Sequence, residues 1–145
     1  MKSYRTRPVN PHEEEIYWTR ANECWDLALH AASQKKWSGC TINVIHAVIS
    51  LADLMCARFS GKRYAGTSHD EAISFYETLR IEDPDFRKSV ARLGQILSFK
   101  TQAEYDGSAV SEAQTELILK NGTRFREYVL KKLPLPKSLQ KFFPG

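Results

Sequence analysis

The sequence is poor in the residue groupings that announce a metal centre, a disulfide scaffold or a membrane anchor. It has three cysteines, Cys24, Cys40 and Cys56, sixteen residues apart each time and never in a CxxC pair. An odd count at that spacing, with no secretion signal, argues against a disulfide framework and reads as small buried hydrophobes. The four histidines, His12, His30, His46 and His69, fall on different segments, so neither a metal ion nor another cofactor is expected. No uninterrupted apolar run reaches the roughly 18 residues that cross a bilayer. The opening MKSYRTRPVNPHEEE carries basic residues but no hydrophobic core of a signal peptide. The expectation is a cytoplasmic protein with no membrane association. Charge of one sign is also scarce: 21 basic residues stand against 17 acidic, for a net +4 and a pI near 9.0. Such a balance permits a nucleic-acid partner without demanding one.

What is present is the balance of a globular chain, with 42% hydrophobic and 26% charged residues over 145 positions. That length suits a single domain. Asn10-Pro11 is a good helix start, followed by Glu13, Glu14 and Glu15 at the positive end of the helix dipole. Apolar residues from Tyr17 to Ala32 recur at steps of three and four, which predicts a helix to about Lys36. Trp37-Ser38-Gly39 reads as a break. The segment TINVIHAVISLADLMCARF then predicts a central, buried helix. Ser68 and Glu71 have capping-box spacing ahead of a short helix that follows the polar loop GKRYAGTS. Asp83-Pro84 opens a further helix to about Tyr105, and Ser111 with Gln114 opens a last long one that Pro134 and Pro136 end. No stretch alternates with period two. The fold class is therefore all-α, an antiparallel bundle of four long helices plus one short helix. Residues 1–133 form the single helical-bundle domain, and 134–145 a proline-containing C-terminal tail.

Two segments hold candidate chemistry. On the central helix, Asn43, His46, Ser50 and Asp53 fall within an arc of about 80° at 100° per residue, so they share one face. A polar stripe on an otherwise apolar helix needs partners, either a buried network or a ligand cleft. The loop GKRYAGTSH gathers Lys62, Arg63, Tyr64 and His69 around flexible glycines, a surface suited to a small anion or phosphate. Lys100 and Glu104 sit four apart and can pair. The candidate ligand-binding residues are Asn43, His46, Ser50, Asp53, Lys62, Arg63, His69, Lys100 and Tyr105. Among them, His46, Asp53, Arg63 and His69 are the candidates for catalysis.

The helix NVIHAVISLADL, the GTSH loop leading into a short acidic and aromatic helix, and the element KTQAEYDGSAVSEAQ together resemble the HEPN domains. These are small helical proteins found with nucleotidyltransferases and in toxin and RNA-processing systems. The resemblance runs from about Ala21 to Val129. In the commoner members an arginine stands where Lys100 does, and the element reads R-xxx-DY. The resemblance implies a homodimer. Many HEPN domains are metal-independent ribonucleases that place an arginine, four to six residues and a histidine at the cleft between subunits. Arg63 and His69 have that spacing, as do Arg5 and His12, but it is short enough to recur by chance. Arg63 and His69 also lie in the middle loop, away from the last helices that carry the pair in active members. The expected function is thus a HEPN-like dimer that binds nucleotide, RNA or a partner protein such as a nucleotidyltransferase, without strong catalysis. The alternatives are a metal-independent endoribonuclease of toxin or RNA-processing type, and a structural helical adaptor. The apolar second helix, with Trp18, Trp25 and Trp37 near it, offers a dimer surface.

Overall fold

The computed structural model describes residues 3–104 and 107–140. It is all-α in class, with 73% of the described residues helical and 4% in strands. After one 3-10 turn at Pro11–Glu13, helix α1 runs over Glu14–Ser33. The Asn10 backbone N–H donates to Glu13 Oε1 at 3.2 Å, so the chain does turn into helix where Asn10-Pro11 predicts it. Helix α2 occupies Trp37–Ser60. Trp37-Ser38-Gly39 is therefore not a break but the first turn of α2. The reversal is made by Gln34, Lys35 and Lys36, with Lys35 in the left-handed region at φ 59. Gly39 belongs to a helical face that abuts Ala31 of α1, where a small residue suits close packing.

Helix α2 is the centre of the molecule. Val44, Ile45, Val48, Leu51, Leu54 and Met55 are all buried, each worth about 1.5–3 kcal/mol of transfer free energy as an upper range. Its length and mean hydropathy of 1.7 would suffice to cross a membrane, but 72% of its most apolar window is buried against the rest of the chain. Trp18 and Trp25 of α1 are buried too and offer no outer apolar surface, whereas Trp37 is half-buried. Among the described residues the exposed large hydrophobics are Ile16, Leu27, Leu29, Phe59 and Leu117.

Gly61, at φ 75, ends α2 in a left-handed cap whose N–H donates to Ala57 O. The chain then forms strand β2, Lys62–Tyr64, antiparallel to strand β1, Thr6–Pro8, with Arg7 opposite Arg63. The loop reading of GKRY missed this pairing, because three residues are too few to display alternation. Helix α3 follows over His69–Glu77, where Ser68 Oγ accepts from the Glu71 N–H as its spacing predicts. The single helix expected from Asp83 to about Tyr105 is two: α4 over Phe86–Ser98 and α5 over Lys100–Glu104, separated at Phe99. Asp83 does not cap α4 directly; its carboxylate accepts from the Asp85 N–H at 2.8 Å. Helix α6 runs over Glu112–Lys132 behind the Ser111–Gln114 capping box. At Gly122 a side chain would come within 2.8 Å of Val44 Cγ1 and 3.1 Å of Trp25, so this glycine lets α6 lie close against α1 and α2. Beyond Pro134 and Pro136, helix α7 at Lys137–Gln140 buries Leu139, and Ser138 donates to Glu15 Oε1.

Candidate functional site

A cavity of about 570 Å³ opens beside the C-terminal half of α2. Its floor is the face of α2 that carries Ile49, Ala52, Asp53 and Cys56. These positions are i, i+3, i+4 and i+7, one side of a helix. Leu93 and Leu97 of α4 and Tyr76 of α3 form apolar walls, Lys100 stands at the start of α5, and the connection from Arg63 to His69 forms the roof. Two other depressions, of about 720 and 1060 Å³, are larger. The cavity differs from them in combining an apolar lining with a half-buried carboxyl, Asp53, and basic side chains, the usual character of a small-molecule site.

The roof is held by one side chain. Tyr64 Oη donates to Glu71 Oε2 at 3.0 Å and accepts from the Ser68 N–H at 3.0 Å, tying both ends of the loop together. Gly66 passes so close to the Tyr64 ring that any side chain there would collide with it. These contacts fix Arg63 and His69 at the cavity. Arg63 donates from Nη1 to the Tyr64 carbonyl at 3.1 Å, whereas its buried Nε has no hydrogen-bond partner. A buried guanidinium N–H without an acceptor is costly and is satisfied by any anion that enters. His69 is the first residue of α3, so the positive end of that helix also borders the cavity.

Asp53 accepts no hydrogen bond or ion pair among the described residues. Burial pushes its carboxyl up to about 7, against the opposing influence of the Arg63 and Arg20 charges. Burial, with the Asp53 carboxylate one turn away, also holds the Cys56 thiol far above its ordinary range, which leaves it without thiolate reactivity near neutral pH. Tyr76 is anchored by Ser89, with its Oη 2.8 Å from Ser89 Oγ.

Of the residues singled out in the sequence, the cavity brings together Asp53, Arg63, His69 and Lys100. It does not include the rest of the α2 stripe. Asn43 donates to the Gly39 carbonyl of its own helix at 2.9 Å, His46 is exposed, and Ser50 is buried in the packing. The wheel angle grouped the four, but ten residues of helix span about 15 Å, more than this cavity covers. Lys62 is exposed on β2 and outside the lining, as strand alternation sends it away from Arg63. Tyr105 lies outside the described residues. His12 borders a separate shallow depression on α1 that does not include Arg5. Tyr64 was grouped with the loop's anion-contact residues, but sequence reading missed its bridging role, which depends on a fold-back no local pattern encodes, and the apolar walls on α4. It also missed a polar clamp away from the cavity. There, Asp83 takes Lys132 Nζ at 2.6 Å and the Tyr128 hydroxyl at 2.9 Å. Burial opposes ionisation of Asp83, yet these hydrogen bonds hold its carboxyl below the usual range. No three His, Cys, Asp or Glu side chains gather as a metal site among the described residues. Compared with known proteins, the chain matches no family model, no curated protein and no solved structure.

Proposed function

We propose that this chain is a binding protein for a small, anionic, nucleotide-like ligand held in the cavity beside α2. The observation that carries the reading is the convergence of Arg63, His69, Lys100 and the α3 N-terminus on one apolar-walled space, with an unpartnered Arg63 N–H. A phosphate suits the basic end, because a guanidinium and helix-terminal amides both favour oxyanions. A planar base suits the slot between Ile49, Leu93 and Leu97. Asp53 stands at the junction, able to donate a hydrogen bond when protonated and accept when ionised. Isothermal titration with AMP and ATP tests the proposal: micromolar to millimolar binding is expected, at least tenfold weaker in Arg63→Gln. No heat at millimolar nucleotide, or unchanged affinity in Arg63→Gln, would overturn it.

One observation favours the ribonuclease as a second reading. A carboxyl that burial pushes up to about 7, lining the same cavity as a histidine, suits general acid-base chemistry at neutral pH. Cleavage of total RNA in the presence of EDTA, lost in His69→Ala, is its signature; intact RNA sinks it. The same proposal takes α1, α2, α4 with α5, and α6 as a HEPN-like arrangement. It pairs two copies along the outer stripe of α1, where Ile16 and Leu27 are 57% and 54% exposed and share a face with Arg20 and Glu23.

A further inference from the structure

Helices α4 and α6 border an open trough of about 720 Å³ that shares no lining residue with the cavity and is lined by Arg92, Lys120, Arg124 and Lys131, with Asp85 and Glu127 as its acids. The three α6 cations occupy positions i, i+4 and i+11, one straight stripe along the helix. Arg92, Lys120 and Arg124 make no ion pair or hydrogen bond among the described residues. Asp85 is already engaged by Lys88 at 3.8 Å and Lys131 at 4.0 Å, which leaves Glu127 as the one carboxylate of the lining without a cation. With the four cations Arg92, Lys120, Arg124 and Lys131 against the two carboxylates Asp85 and Glu127, the lining keeps an excess of positive charge, and Arg92, Lys120 and Arg124 are open to a polyanion without first giving up a protein carboxylate.

We infer that this trough binds the phosphate backbone of a nucleic acid. The stripe from Lys120 to Lys131 is about 16 Å long at 1.5 Å per residue, long enough to meet several phosphates of a nucleic acid, whose charges recur every 3.4 Å of duplex axis on each strand, and Arg92 adds a further cation beside it. Recognition is of charge and not of bases. The one ring in the lining, Tyr128, is buried, with its hydroxyl held by Asp83 and its ring against Phe86, so it offers no platform for stacking. Among the described residues no asparagine or glutamine lines the trough to read an adenine edge. The inference stands on α4 and α6 alone and does not depend on the ligand of the cavity.

The test is fluorescence anisotropy with a labelled 20-nucleotide single strand and the corresponding duplex, titrated between 50 and 300 mM salt. With about four phosphates neutralised, the log–log salt slope should be near −3.6 for the duplex and −2.8 for the single strand. The double variant Lys120→Gln/Arg124→Gln alters exposed side chains only. Its melting temperature should be unchanged, its affinity at 50 mM salt at least tenfold weaker and its slope smaller by nearly two. Arg63→Gln should bind as the unaltered chain does. The inference is overturned by absence of binding at 50 mM salt, by a slope near zero, or by equal binding of the double variant. Loss in Arg63→Gln in place of the double variant would put the nucleic acid at the cavity and overturn it too. So would a polyglutamate chain of matched charge that binds more tightly than either nucleic acid.

Discussion

Replacing Asp53 by Asn should stabilise the protein, and by an amount set by pH. The side chains are nearly equal in size, so packing changes little, and the difference is the ionisable proton. In the unfolded chain the carboxyl titrates near 3.8; in the fold, burial moves it to about 7. Below about pH 4 both states are protonated and Asp53 costs nothing. Between 4 and 7 the folded chain binds the extra proton, so stability falls as pH rises. Above 7 the full cost is present. At about 1.4 kcal/mol for each tenfold change in proton affinity, its ceiling is about 4 kcal/mol. Asp53 is only partly buried at the open cavity, so solvent screening reduces this to about 2 kcal/mol. Urea unfolding at pH 4, 5.5, 7 and 8.5 should show Asp53→Asn matching the native chain at the lowest pH and exceeding it by about 2 kcal/mol at the highest. A variant less stable than the native chain at pH 8.5 would refute the reasoning, since it would mean that Arg63 holds Asp53 as a compensated carboxylate.

Gly122→Ala should destabilise by about 1–3 kcal/mol in the same assay, because the new methyl meets Val44 and Trp25 where α6 packs closest. Tyr64→Phe should cost about 1 kcal/mol by removing the hydroxyl that ties Ser68 to Glu71, and should weaken nucleotide binding in calorimetry more than it lowers the melting temperature. Light scattering at micromolar concentration should give twice 16.6 kDa, and Ile16→Glu/Leu27→Glu should return it to one; a native mass near 16.6 kDa counts against pairing along α1.

Most of the helical frame was legible because it is written in local signals. Asn10-Pro11, Ser68 with Glu71, and Ser111 with Gln114 each satisfy backbone donors within three residues, and the structure begins helices there or within one turn. The errors came where a tertiary contact decides. Gly39 looked like a breaker but is a packing glycine, and the reversal fell on Lys35, which carries no turn signature. Asp53, Arg63, His69 and Lys100 were each visible as chemistry-bearing residues. That they share one cavity, while Asn43, His46 and Ser50 do not, follows from where the β2–α3 connection crosses α2. No single segment encodes that crossing. The tie that Tyr64 makes between Ser68 and Glu71 was invisible for the same reason, since an aromatic in a glycine-containing loop reads identically whether or not it folds back.

The small strand pair has a kinetic meaning. It joins Arg7 to Arg63 across the whole of α1 and α2, so its ladder closes only after those helices have met, and it adds few hydrogen bonds once closed. Segments of that kind open at a fraction of the global unfolding free energy. The roof over the cavity is accordingly the part of the chain that should exchange its amides first, at Val9 and Ala65, while those of α2 remain protected. A solute would then reach the interior through transient fraying of the amino-terminal strand, with the helical core intact throughout.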